Sequence, residues 1–296
     1  MILQKYIFYC CLLTFAYSLF PIAFCLLPNM PEKSYFCRVK KSTTISGPIV
    51  LHGNCLFVSD AHFRTPMDAA SEEREQRLID LLEQHRPQLQ HLFLLGDIFD
   101  FWFEYRDVVP KGYVRLFAYL KDLQLQGVEI HYFTGNHDMW AEDYFTQTFG
   151  AKIYREAQPF VINGHRCFIG HGDGLGGKQR RYLFIKRVLN GRFNHLLYSM
   201  WHPRQAFALA RFCSQSSRNS HDESAFQFQG EAEHQVQFAR ELLATMPIDF
   251  FIFAHRHVPM RYELTPDCTF FNVGDWLSHF SYVTFNTEDT EPILHF

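Results

Sequence analysis

Short apolar runs alternate along the chain with stretches of helical spacing. Cys55–Ser59 and His91–Leu95 are short apolar runs, read as buried strands, and Val128–Phe133 and Asp249–Phe253 are read as further strands. Between them, Glu72–His85 sets Leu78, Leu81 and Leu82 on one helical face behind an acidic first turn. Tyr113–Gln126 is a second amphipathic stretch, closed by Gly127. Phe160–Ile162 and Cys167–Ile169 flank Asn163-Gly164, a strong signal for a tight hairpin. A further helix is expected from about Gly230 to Ala244, and strands at Thr269–Val273 and Tyr282–Phe285. Strands alternating with helices, then hairpins, predict a layered α/β sandwich over residues 50–296.

One stretch interrupts this rhythm. Gly174–His221 holds no Asp or Glu but many basic residues, beginning with Lys178, Arg180, Arg181, Lys186 and Arg187. Apolar and aromatic residues are interleaved with them, and Pro203 divides two helical segments. We read residues 178–225 as a basic, aromatic helical insert suited to an amphiphilic anionic substrate or a membrane surface.

The N-terminus is different again. No charge occurs from Tyr6 to Leu27, and Lys33, Arg38, Lys40 and Lys41 follow. Residues 1–28 are expected to form a membrane anchor that leaves the body of the protein in the cytoplasm. A true start at Met30 and a cleaved signal peptide are the alternatives. Residues 29–49 read as a linker.

Composition narrows the class. Hydrophobic content of 47% with 20% charged residues excludes long disorder. The 32 Phe suggest an apolar surface that needs a partner as well as a core. A net charge of −3 gives no reason to expect nucleic acid as a partner. The eight Cys form no CxxC pair, so neither a disulfide framework nor a zinc knuckle is expected.

Five short motifs follow predicted strands and carry metal-ligand chemistry. Asp60 and His62, two apart at a strand end, project to one side and can share a cation. Asp97 follows Gly96 at the next strand end, and its two oxygens can bridge two cations; Asp100 is expected to orient rather than ligate. In Gly135-Asn136-His137-Asp138, Asn136 offers a neutral carbonyl oxygen and His137 a hydrogen bond to a phosphoryl or leaving-group oxygen. Asp138 could hold the His137 ring in its tautomer. His171 lies between glycines, and His255 and His257 again face one side. All five are expected at one edge of a sheet, where open α/β sheets bind ligands. Mixed N/O ligation without thiolate suits Mn2+, Fe, Zn2+ or Mg2+. Two such ions about 3.5–4 Å apart would clamp the attacking and leaving oxygens of a displacement at phosphorus.

The order D-x-H, G-D-x-x-D, G-N-H-D, H-G-D, H-x-H resembles the calcineurin-like metallophosphoesterases from about Leu56 onward. GDIFDFWFEY, VVPKG, FTGNHDMW, GHGDGLG and NVGDW narrow the resemblance to the UDP-2,3-diacylglucosamine diphosphatases of lipid A synthesis. It implies a four-layer αββα sandwich with an inserted helical cap, two divalent ions with Mn2+ foremost, and a nucleotide-sugar lipid substrate. It further implies a place at the cytoplasmic face of the inner membrane. Asp60, His62, Asp97 and His257 would hold one metal, and Asp97, Asn136, His171 and His255 the other. His137 would be catalytic, with substrate contacts from Asn136, His137, His255, Lys178, Arg180 and Arg181. Two departures stand out: Ala254 replaces the usual Gly before H-x-H, and GKQRRY stands where relatives place a substrate-binding Asp.

Overall fold

Two six-stranded sheets face each other in a computed structural model that describes residues 47–176, 186–189, 191–218 and 228–296. The strands are β1 Ile49–Leu51, β2 Asn54–Val58, β3 Leu89–Leu94, β4 Glu129–Phe133, β5 Lys152–Tyr154 and β6 Gln158–Ile162. They continue as β7 His165–Ile169, β8 Phe250–Phe253, β9 Met260–Thr265, β10 Cys268–Asn272, β11 Tyr282–Phe285 and β12 Ile293–His295. One sheet runs β12-β11-β2-β3-β4-β5, with β2, β3, β4 and β5 parallel. The other runs β1-β6-β7-β8-β10-β9, with β7, β8 and β10 parallel.

The helices are α1 Ala69–His85, α2 Val114–Leu125, α3 Tyr144–Phe149, α4 Arg192–Ser199, α5 Pro203–Arg218 and α6 His234–Leu243. Period-two burial sends each strand's side chains to two cores. Phe57, Phe93, Phe133, Phe160, Ile252 and Phe271 fill the layer between the sheets. On the outer face of the first sheet, Leu92, Leu94, Ile130 and Tyr132 pack with Leu78, Leu82, Leu116, Leu120 and Phe145 of α1, α2 and α3. On the outer face of the second, Phe168, Phe251 and Phe253 meet Val236 and Ala239 of α6. The order is therefore helix, sheet, sheet, helix, the expected αββα sandwich.

Local chemistry explains most boundaries. Asp68 caps α1 by accepting from the Ser71 amide at 2.8 Å. Asn163 turns β6 into β7 at φ 52°, and its side chain holds both backbone groups of Gly53. Five short elements were not expected: β1, β5, β9, β12 and α3. Each is six residues or fewer and too short for its own periodicity. Ile49, placed in the linker by sequence, opens β1 and pairs in register with Phe160.

The described residues form two compact units. Those between Ile185 and His221 make up one, which contains α4 and α5, separated just before Pro203. The sandwich is the other. Residues 1–46 and the basic cluster Lys178, Arg180 and Arg181 lie outside the described residues. Among the described residues, no helix is long and apolar enough to cross a membrane, and Cys55, Cys167 and Cys268 are buried free thiols.

Much of the aromatic content sits behind one end of the sandwich. Phe99 packs on Trp102 and Tyr113 with centroids 4.7 Å from each, and Trp102 lies 4.6 Å from Phe145. Glu104 pins this cluster: its carboxylate accepts from Trp102 Nε1 (3.0 Å) and from the amides of Glu142, Asp143 and Tyr144 (2.8–3.0 Å). Glu104→Ala leaves four donors unpaired and should lower stability by roughly 3 kcal/mol, measured by urea unfolding. An unchanged midpoint would show that the start of α3 does not depend on this carboxylate.

Candidate metal centre

Six strand ends, three from each sheet, converge on one edge of the sandwich. Asp60 follows β2, Asp97 follows β3 and Asn136 follows β4; His171 follows β7, His255 follows β8 and Asp275 follows β10. The expectation of a single sheet edge is corrected here, because the motifs are shared between two facing sheets.

The backbone takes an uncommon path to place them. Asp60, His62, Asp97, His255 and His257 all have positive φ, between 44° and 71°. Non-glycine residues in this region cost of order 1–3 kcal/mol each, and such strain clusters at functional sites. Two glycines let the loops close up. A Cβ on Gly135 would lie 2.2 Å from Asp97 Oδ1, and one on Gly96 would lie 2.7 Å from the Gly135 nitrogen.

Hydrogen bonds hold one atom of Asp60, Asp97 and His171 and leave the other to face its neighbours. Asp60 Oδ2 accepts from Ser59 Oγ (2.8 Å) and the His255 amide (3.0 Å). Asp97 Oδ1 accepts from the His137 amide (2.8 Å). His171 Nδ1 meets the Leu95 carbonyl at 2.7 Å. Opposite these, Asp60 Oδ1, His62 Nε2, Asn136 Oδ1 and His171 Nε2 are buried without a hydrogen bond. Buried polar atoms are rarely left so, and this donor set suits a cation.

Among the described residues, three groups of ligating atoms lie here, one of them His62, Asp100 and His137; the other two fall within the expected sets. Donor atoms of Asp60, His62 and His257 lie within 4.8 Å of one another, and so do those of Asp97, His171 and His255. Asp97 Oδ2 stands between the sets, 3.9 Å from His62 Nε2 and 3.3 Å from His171 Nε2. Six of the seven metal-ligand residues expected from the sequence fall in these sets; the seventh, Asn136, follows β4 with its Oδ1 buried, and the His137 ring packs edge-on against His62 at 4.7 Å. The residues fit a pair of divalent ions.

Electrostatics point the same way. Burial disfavours charge on His171, yet the Asp97 carboxylate beside it prevails and pushes it up to about 10. His257 is likewise raised against its burial to about 10 by Asp60 and Asp275. Despite burial, the neighbouring imidazoles hold Asp60 and Asp97 well below the usual carboxylate range. Without a cation, protons on His171 and His257 balance the buried carboxylates.

Two roles differ from expectation. Asp138 does not hold the His137 ring. It accepts from the Gly135 amide (2.7 Å), the Ile98 amide (3.0 Å) and Tyr132 Oη, and so joins two strand-end loops. Burial and the Asp97 charge push it up to about 6. The His137 ring is held instead by the Asp100 carbonyl, 2.9 Å from Nδ1. Asp275 lay unassigned within the NVGDW match. Its carboxylate accepts from the amides of Leu277, Ser278 and His279 (2.6–3.0 Å) and stands 3.7 Å from His257 Nδ1. It is placed to orient that imidazole.

Fold and site together define a metal-dependent phosphoesterase. The chain belongs to the calcineurin-like phosphoesterase family, whose model matches residues 53–259. It is 35% identical to a UDP-2,3-diacylglucosamine hydrolase of Porphyromonas gingivalis over 78% of this chain and 93% of that protein. A protein of the same name from Cellvibrio japonicus is 28% identical over 72% of this chain and 85% of its own length. Among solved structures, a Vps29 double mutant from Entamoeba histolytica aligns with TM-score 0.40 and 14% identity, over 81% of this chain and 89% of that one. The chain is thus a metal-dependent hydrolase that uses divalent ions.

Two outcomes are expected. His171 and His257, raised to about 10, are protonated at neutral pH in the metal-free protein. Metal uptake must expel those protons, so affinity rises with pH toward about 10. Calorimetry in buffers of different ionisation enthalpy should read about two protons released per chain. Asp275→Asn should weaken metal binding about 10–100-fold while far-UV circular dichroism stays unchanged; wild-type affinity would remove its orienting role.

Proposed function

We propose that the protein hydrolyses the diphosphate of UDP-2,3-diacylglucosamine to UMP and 2,3-diacylglucosamine 1-phosphate, a step of lipid A synthesis. The observation that carries this reading is the pair of ligand sets joined by Asp97 Oδ2, in a chain whose relatives bear that enzyme's name. We assign Asp60, His62, Asp97 and His257 to one ion and Asp97, Asn136, His171 and His255 to the other, with Mn2+ as the expected metal.

A divalent pair supplies charge neutralisation and Lewis acidity at phosphorus. The rest falls to the chain's own groups. Water adds to one phosphorus of the diphosphate, the P–O–P bond breaks, and two phosphate monoesters leave. His137, with Nδ1 held at the Asp100 carbonyl, turns Nε2 toward the reacting group and stabilises the charge that grows on a phosphoryl or leaving oxygen. Asp97, bound at Oδ1 by the His137 amide, sets the spacing between the imidazole and the ligand sets. Lys178, Arg180 and Arg181 would meet the diphosphate, and the apolar residues of the insert the acyl chains. Residues 1–28 would anchor the protein at the cytoplasmic face of the inner membrane, where this substrate lies.

The test is UMP release from UDP-2,3-diacylglucosamine with Mn2+ and with chelator. Metal-dependent release is expected, lost in Asp97→Ala and His171→Ala with the fold intact. Comparable turnover of a soluble nucleotide diphosphate would replace the lipid substrate but keep the phosphoesterase. Near-normal activity in Asp97→Ala would remove the two-metal assignment.

A further inference from the structure

A second group of ligating side chains lies at the other end of the same strands. His91 is the third residue of β3 and Glu129 the first of β4, and the two are register partners across the parallel pair. His131, two residues after Glu129, projects from the same face. These residues stand at the start of their strands, whereas Asp97 and Asn136 follow the ends. They share nothing with the centre described above.

Three atoms converge. His91 Nδ1 lies 3.4 Å from Glu129 Oε2, His131 Nε2 lies 3.7 Å from the same oxygen, and the two nitrogens are 3.5 Å apart. Zinc bonds of about 2.0–2.1 Å at a tetrahedral angle set neighbouring ligands roughly 3.3 Å apart. The observed triangle is close to one face of such a tetrahedron and needs only small adjustment to close on an ion.

The far side of each ring is already fixed. His91 Nε2 lies 3.1 Å from the His52 carbonyl, so it carries the proton there and leaves Nδ1 as a lone pair. His131 Nδ1 lies 3.0 Å from Tyr154 Oη, and the ring is clamped between Phe93 (centroids 4.4 Å apart, interplanar angle 10°) and Tyr154 (5.9 Å, 16°). The His52 carbonyl thus orients His91 Nδ1 inward; His131 Nε2 is freed in the same way when Nδ1–H donates to Tyr154 Oη, the tautomer an ion would select over the contact between the two rings. The His131 side chain is fully buried and that of His91 is 8% exposed, while Glu129 is 43% exposed and opens the group to solvent.

We propose that His91, Glu129 and His131 form a zinc site, with water as fourth ligand, that staples β3 to β4 at the edge remote from the catalytic metals. Two imidazoles and one carboxylate suit Zn2+ better than the harder Mg2+ or Ca2+. Lys152 is the competing cation: its Nζ lies 2.9 Å from Glu129 Oε2. That side chain is half exposed and can swing into water when the ion enters.

The site is tested in the full-length chain with the catalytic centre removed by Asp60→Ala, Asp97→Ala and His171→Ala. After dialysis against chelator, Zn2+ is titrated by calorimetry and bound metal is counted by plasma mass spectrometry. One zinc per chain is expected. Adding Glu129→Gln, a change at a half-exposed position that keeps the fold, should abolish it, and Lys152→Met should tighten it several-fold. Cobalt in place of zinc should give tetrahedral visible absorption that His91→Phe removes. No stoichiometric zinc in the triple variant, or undiminished zinc after Glu129→Gln, would overturn the proposal.

Discussion

Asp97 concentrates the problem that the rest of the sandwich solves. It is a carboxylate with 1% of its surface exposed, set at a loop where two sheets meet. A buried negative charge is costly unless hydrogen bonds and opposite charge surround it. One oxygen receives the His137 amide, and the other faces His62 and His171. Gly135 must lack a side chain for the loop to approach so closely, and Asp138 holds that loop from behind. The strand ends, the left-handed ligand residues and the aromatic packing under Phe99 all serve to keep this carboxylate compensated while one oxygen stays available.

The candidate ligand residues are legible in the sequence because each follows a predicted strand, and strand ends are where an α/β fold exposes functional groups. Asp60 and His62, or His255 and His257, need only their spacing to be read together. What the pattern could not carry was the partnership between sheets. Nothing in the run around His171 says that β7 belongs to a different sheet from β3, since both are simply buried strands. Local proximity also misassigned Asp138: it adjoins His137 in sequence, yet its carboxylate turns toward the Gly135 and Ile98 amides. The ring is held instead by a main-chain carbonyl, a group any residue supplies. Asp275 acts through a turn of consecutive amides, which composition does not mark.

The high phenylalanine content has a similar explanation. In the sequence it suggests a core as well as an apolar surface that needs a partner. Within the sandwich, much of it forms the layer between the sheets and the cluster under the metal-binding loops. Large flat rings fill the space between loops that have little regular hydrogen bonding of their own, and they hold strained backbone in place through packing.

The bond from the His255 amide to Asp60 has a temporal consequence. It joins residues 195 positions apart, and the Trp276 amide reaches the Asp60 carbonyl from farther still. Contacts so distant along the chain form late, after loop-closure entropy has been overcome. The first sheet takes strands from the far end of the chain, since β11 pairs with β2 from beyond β10. Neither proposed ligand set is complete before His255 and His257 have been added to the chain. A two-metal centre of the proposed kind is therefore closed to the nascent chain until both sheets can contribute their strand ends.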